Sequence, residues 1–460
     1  MKQMKSKKER GITLIALVVT IIVLIVLAGI SINLMFGANG IINRAKQSKT
    51  LTDQASINEQ KALGELDEQL EKYLEGLPEN TKDNPQVAGT EVKIPEGWYT
   101  TTPAYISTED GSVVKKEVKV ASVTAVATGN GETVPVPKGF YYVGGTKDTG
   151  VVISDNPSDK NKYAGYKEDG KTEKEVGIDL EGNQFVWIPC TSDGGNGTIK
   201  YEKTSWGKQN AEWDKTTPKA ELTQIEKYEG FYVGRYEAGL ASNITEFTTN
   251  QKQTGSNQVY NIDGVPQSKA GVIPWMFIDW THSKTNAESM YNNNYVSSGL
   301  ITGTQWDVIL NTMISKSKIS TSDLTDSSAW GNYIDNRISY NGRLARADYG
   351  STNSSVWTLK PFEAKTIGTT TNDNSNNGEL LTTGASVTTE KYHIFDLAGN
   401  VWEWTEETSL YATSGQYQVL RGGGLLNDSG TYTACYRNAN NNPIKYTNFS
   451  VGFRTVLYIK

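Results

Sequence analysis

Sulfur and imidazole are nearly absent from this chain. Its 460 residues hold two cysteines, Cys190 and Cys435, and two histidines, His282 and His393. Two cysteines cannot make a disulfide scaffold, and the single bridge open to them needs an oxidising space. Two histidines leave little room for a histidine-rich metal site. Excess positive charge is missing too. With a formal net charge of −6 the chain has no broad basic face for nucleic acid. Long hydrophobic runs are confined to one place. Gly11 to Asn43 carries no charged residue, and the 12–36 stretch is long enough to cross a bilayer as one helix. Lys2, Lys5, Lys7, Lys8 and Arg10 precede it, which predicts that end inside and the bulk of the chain outside. The expectation is a single-pass protein of the cell membrane with an extracellular body.

What is plentiful is glycine, at 44 residues, with 24 tyrosines and 11 tryptophans. Many short strands with polar Gly- and Asn-rich loops fit this better than long helices, so the fold class is α+β. Residues 37–75 read as a stalk helix. Leu63, Leu66, Leu70 and Leu74 recur on it at helical spacing, a stripe suited to a partner or to self-association. Gly76-Leu77-Pro78 ends the helix, and 76–92 is a linker. Residues 93–180 form a small β region, with a strand expected from Val118 to Val126, and 181–460 form the main domain. In the main domain helices are expected at 282–292 and 304–316, the second with a core stripe of Trp306, Ile309, Leu310 and Met313. Residues 368–378 read as an exposed loop. Gly144-Gly145-Thr146-Lys147 lacks the spacing and the following helix of a phosphate loop.

The most informative stretch lies near the C-terminus. It reads Asp396-Leu397-Ala398-Gly399-Asn400-Val401-Trp402-Glu403-Trp404, then Arg421-Gly422-Gly423-Gly424, then Val451-Gly452-Phe453-Arg454. Trp402 and Trp404 share one face of an extended segment and Glu403 points the other way. A carboxylate beside two large buried rings needs a cation or several donors.

These motifs, in this order, resemble the formylglycine-generating-enzyme (sulfatase-modifying-factor) family. Phe185-Val186-Trp187-Ile188-Pro189 and Gly230-Phe231-Tyr232-Val233-Gly234-Arg235-Tyr236-Glu237 resemble its opening strands. The resemblance implies a much-decorated C-type lectin fold. It also implies copper held by two cysteines of a Cys-Tyr-Arg-Tyr-Arg-Cys motif. Here that motif reads Cys435-Tyr436-Arg437-Asn438-Ala439-Asn440. A soft metal needs soft ligands, and one thiolate with an amide cannot replace two thiolates, so Cys435 is a vestige and copper is not expected. The family's calcium site maps onto side chains of Asp396 and Glu403 and carbonyls of Gly399 and Val401, which implies a structural calcium ion.

Between Arg421 and Phe453 lie Asn427, Tyr432, Tyr436, Arg437, Asn438, Asn440, Asn442 and Tyr446. Tyrosine with asparagine is the composition of adaptable binding loops. The stretch is similar to the asparagine-rich variable surfaces of retroelement-diversified lectin-like proteins, and it is where lectin-like members present ligands. Lys8-Glu9-Arg10-Gly11-Ile12-Thr13 resembles a type IV prepilin leader, which implies cleavage after Gly11 and a new N-terminus at Ile12. The family's glutamate at the fifth mature position is Ala16 here, which argues for an anchor over a pilus subunit. Residues 1–11 would be that leader. The expected function is a membrane-anchored, surface-displayed, lectin-like binder of an extracellular protein or glycan, without oxidase activity. A formylglycine-type modifying enzyme and a pilin-like subunit are the alternatives.

Overall fold

The computed structural model describes residues 21–24, 41–107, 113–217, 221–248, 263–336, 338, 346–349, 356–360, 380–410, 417–439 and 443–460. They fall into two compact units. One takes the residues up to Tyr73 together with Thr101–Lys119, the other Leu74–Thr100 with Val120–Lys460.

The first unit holds most of a 35-residue helix, Ile41–Glu75, where the stalk helix was expected. Side chains of Leu63, Leu66 and Leu70 lie outside the described residues. No helix among the described residues is long and apolar enough to cross a membrane. That finding overturns the single-pass cell-membrane placement read from the sequence. The one long helix described carries lysines, glutamates and aspartates along its length, and bilayer interiors reject such residues. Of the expected span only 21–24 is described. The prepilin-like leader, with Gly11 and Ile12, lies outside the described residues.

The chain has eighteen described strands: β1 Glu91–Val92, β2 Tyr99–Ser107, β3 Val113–Ala121, β4 Val123–Ala127, β5 Thr133–Pro137, β6 Tyr141–Gly144, β7 Val151–Ser154, β8 Gln184–Pro189, β9 Gly230–Gly234, β10 Glu246–Thr248, β11 Val296–Leu300, β12 Arg346–Tyr349, β13 Val356–Lys360, β14 Trp402–Thr408, β15 Gln418–Arg421, β16 Arg437–Asn438, β17 Val451–Phe453 and β18 Thr455–Ile459. The single strand expected from Val118 to Val126 is broken at Ser122 into β3 and β4. With the few helices this is an α+β chain.

The second unit is organised by a six-stranded sheet in the order β11-β18-β9-β8-β7-β6, antiparallel throughout. It joins strands from both sides of residue 181. Its central strands are apolar without interruption because both faces are covered. From β8, Val186 and Ile188 enter one core with Val233 and Val456, while Phe185 and Trp187 enter another with Tyr232 and Leu457. Period-two alternation sorts each strand between the two cores.

The helices Trp280–Ser289 and Gly303–Ser315 appear where the sequence places them. The second starts at a capping box. The Gln305 N–H donates to Thr302 Oγ1 at 3.1 Å and the Thr302 N–H to Gln305 Oε1 at 2.9 Å. Its stripe of Trp306, Ile309, Leu310 and Met313 is fully buried against the six-stranded sheet's core.

A four-stranded sheet, β16-β15-β14-β17, gathers the signature segments. Glu403 on β14 lies opposite Arg421 on antiparallel β15 and beside Gly452 on parallel β17.

Candidate functional site

Trp402 and Trp404 enter one core with Trp275, Leu420 and Phe453, as residues of equal parity on a strand must. Glu403 turns away from them into a fully buried position. The cation it requires is Arg454. The guanidinium Nε lies 3.1 and 3.0 Å from the two carboxylate oxygens, and its other N–H groups donate to the carbonyls of Gly234 at 3.1 Å and Phe395 at 2.9 Å.

Two more buried carboxylates lie close to this pair. Glu237 accepts from Asn400 Nδ2 at 2.6 Å and from the Val401 N–H at 3.2 Å. Asp396 accepts from the Gly384 N–H at 2.9 Å and the Thr389 hydroxyl at 2.7 Å. Burial pushes the carboxyl of Glu237 well above its usual range, and the negative charges of Asp396 and Glu403 push the same way. Burial also raises Asp396 and Glu403, the latter against the attraction of Arg454. Glu237 and Asp396 both have only neutral donors, so burial raises them without a partner cation of their own.

The loop carrying these groups is strained. Tyr392, His393, Asp396 and Asn400 have φ of 56, 58, 59 and 60°, a left-handed region that Asn, Asp and His tolerate best and that costs a residue such as Tyr392 about 1–2 kcal/mol. Arg235 holds the loop with a guanidinium whose five N–H groups all donate: to the carbonyls of His393, Gly177 and Val176, to Gln184 Oε1 and to Glu390 Oε1. Burial and Arg235 push His393 down to about 3, so its ring is neutral beside the Gly150 carbonyl. Gly399 is required outright. At φ 75° a Cβ there would lie 2.3 Å from the Asn332 carbonyl.

The four calcium positions, Asp396, Gly399, Val401 and Glu403, thus share one loop and strand start. As arranged, the carboxylates do not fit the ion. Both Glu403 oxygens face a guanidinium, and those of Asp396 accept from a backbone N–H and a hydroxyl. Among the described residues no group of three or more His, Cys, Asp or Glu is placed to hold a metal.

A second buried cluster extends from the same strand. Arg421 reaches Asp307 at 2.8 Å and Glu407 at 3.2 Å. Arg437 reaches Glu407 at 3.0 Å, pairs with Asp307, and lies with its Cζ 3.7 Å from the centre of the Trp213 ring. Lys203 stands 3.9 Å from Glu407. Arg437 was expected at the ligand surface, but it is 1% exposed, because two buried carboxylates need it.

Cys435, one residue before Tyr436, is also inside. Its Sγ donates to the Leu324 carbonyl at 2.9 Å and lies 3.3 Å from Thr433 Oγ1. Burial pushes the thiol pKa up, away from the thiolate that metal binding and nucleophilic chemistry require. Cys190 is likewise a buried free thiol raised by burial, and the two do not bridge. Asn440, the residue at the second thiolate's place, and Asn442 lie outside the described residues.

The remaining surface positions fall together in part. Tyr432 and Tyr436 pack edge to face at 5.1 Å, and each meets Trp402, at 5.8 and 6.0 Å. Asn427 Oδ1 accepts from Trp402 Nε1 at 2.8 Å and from the Gly424 N–H at 3.0 Å, so it fixes the Arg-Gly-Gly turn. Tyr446 is half-buried, edge-on to Trp404 at 6.4 Å. Asn438 is half-buried and accepts from Asn210 at 2.7 Å. Trp402, Tyr432, Tyr436 and Asn427 make one cluster, in which only Tyr432 and Asn427 are half-exposed. Tyr436, expected at the ligand surface, is buried with Trp402 in the core because the aromatic rings pack on one another. Asn438 and Tyr446 make their own contacts. Sequence reasoning missed Asp307, Glu407 and the roles of Glu237 and Asn400. The available signal was the pairing problem: acids next to apolar runs demand partners.

The family model of the sulfatase-modifying factor enzyme 1-like domain matches residues 197–459. No curated protein matches the chain. Among solved structures, the chain is similar to the crystal structure of CarF at 12% identity, over 60% of this chain and 98% of that one, with a TM-score of 0.28. It is also similar to the Major Tropism Determinant P3c variant, at 13% identity over 81% and 86% of the two chains and a TM-score of 0.24. The U1 variant gives 14% identity, 81% and 87% coverage, and a TM-score of 0.24. Overlays this weak carry no argument about this chain. The family match spans more than half of the chain, and the segments that define the resemblance lie side by side on one sheet, so the chain belongs to the sulfatase-modifying factor enzyme 1-like family.

Proposed function

We propose that this chain is a non-oxidative, lectin-like recognition protein, which binds a protein or glycan through the surface where half-exposed Tyr432 and Asn427 lie over the buried rings of Trp402 and Tyr436. The observation that carries the reading is the state of Cys435: buried, its thiol pKa raised by that burial, and hydrogen-bonded to a carbonyl, with asparagine in the sequence position of its partner thiolate. A two-thiolate copper(I) centre has no second soft donor there. The patch supports the binding half of the proposal. A half-exposed tyrosine held rigid by buried rings, beside the Asn427 amide, suits recognition at low entropic cost.

Family membership favours one competing reading, a modifying enzyme of the formylglycine-generating class. The two part on one assay. The purified chain, given copper, air, a thiol reductant and a cysteine-containing peptide, is expected to form no aldehyde on the peptide. Appearance of the aldehyde, lost in Cys435→Ser, would establish the enzyme instead. In a binder screen, Tyr432→Ala with Tyr436→Ala is expected to remove the hits that the parent protein gives; hits that survive both changes would move the site elsewhere.

A further inference from the structure

A cavity of about 260 Å³ lies apart from the aromatic patch. Glu132, Lys147, Thr198, Glu229, Ser315 and Lys316 are in its wall. We infer that it binds a small zwitterion, a free α-amino acid.

Charge of both signs faces the same space. Lys316 is held by Asp148 at 2.5 Å, and Glu132 accepts from Asn130 at 3.1 Å and from the Lys147 N–H at 3.3 Å. Among the described residues the Glu229 carboxylate and the Lys147 ammonium have no ion-pair partner. Both residues line an open cleft, Glu229 exposed to solvent and Lys147 half-buried.

Glu229 is placed there at a cost. It is the C-cap of the helix Leu222–Tyr228 with φ 58°, a conformation that glycine adopts freely, and Gly230 follows it directly. A glutamate kept in such a position is an outlier worth a functional explanation. The helix Gly303–Ser315 also ends at the cavity, with Ser315 and the C-cap Lys316 in the wall. A helix C-terminus favours a cation. That helix end already has the Lys316 cation, so the ligand's ammonium is assigned to Glu229 and its carboxylate to Lys147.

Lys147 closes the run Gly144-Gly145-Thr146-Lys147, which fails as a phosphate loop. An inorganic phosphate would meet two glutamates here and no helix N-terminus, whereas a zwitterion satisfies both signs. The volume is just under the ~300 Å³ where sites for drug-sized ligands begin, which suits a molecule of few heavy atoms.

The test is isothermal titration of the full chain with glycine, alanine, glutamate and lysine, and separately with ethylamine, propionate and phosphate. At least one amino acid is expected to bind at least tenfold more tightly than ethylamine or propionate. Glu229→Gln and Lys147→Met are each expected to weaken it tenfold or more at unchanged melting temperature. No heat from any amino acid, or equal binding by the parent and both variants, would overturn the inference, as would a preference for phosphate.

Discussion

Two buried charge clusters extend from strand β14, and their balance differs. Around Glu407, two guanidiniums and Lys203 face two carboxylates. Around Glu403, one guanidinium faces a carboxylate while Glu237 and Asp396 sit nearby with neutral donors only. The first cluster has one cation more than it has carboxylates. The second has three carboxyls to one cation and closes only if two acids keep their protons, so it alone ties stability to pH through uncompensated carboxyls. Neither is a binding surface. Both hold the sheet that presents the aromatic patch.

The largest effect expected from this contrast is at Arg437. Arg437→Ala strips Asp307 and Glu407 of one cation and should cost about 3–5 kcal/mol, read by urea unfolding. A change below ~0.5 kcal/mol, the range of ordinary surface sites, would mean that the side chain is at the surface after all. Arg454→Ala should cost a similar amount and lower the melting temperature most at high pH, where Glu403 and its acidic neighbours carry the most charge.

Glu237→Gln should act in the opposite direction. The folded-state carboxyl is raised above its unfolded value, so its contribution is full below the ordinary glutamate range and fades as pH rises through the folded value. The parent's melting temperature should therefore fall from pH 5 upward more steeply than that of Glu237→Gln, and the two should meet near pH 4. Parallel curves would remove the claim that this cluster holds a proton.

Smaller still is the patch itself. Tyr432 is half-buried, so Tyr432→Ala should cost about 1 kcal/mol of stability, while ligand affinity falls roughly tenfold or more. Smallest is calcium: with Arg454 already on Glu403, a chelator should leave the melting temperature unchanged, and a clear drop would show that the loop rearranges around an ion.

Much of the scaffold was legible in the residues. Parity fixed the tryptophans on one side of β14 and the acid on the other. Helical spacing located the helix that buries Trp306. The need of Glu403 for a cation was legible too, but not its source, since Arg454 is fifty-one residues away and only the pairing of β14 with β17 brings it near. Arg437 was misplaced for a related reason. Its tyrosine and asparagine neighbours suggest a surface loop, but β16 sets it opposite Arg421, where Asp307 arrives from a distant helix. Composition cannot report such a partner. The charge-free run near the N-terminus led to a membrane placement that the described helices do not support.

The central claim is that the family's thiol chemistry has been dismantled at Cys435. Anaerobic competition titration of copper(I) against a chelator, on the parent and on Cys435→Ser, tests it directly. The expected result is the same weak, non-stoichiometric uptake by both. One tightly held copper per chain in the parent, absent from the serine variant, would contradict it.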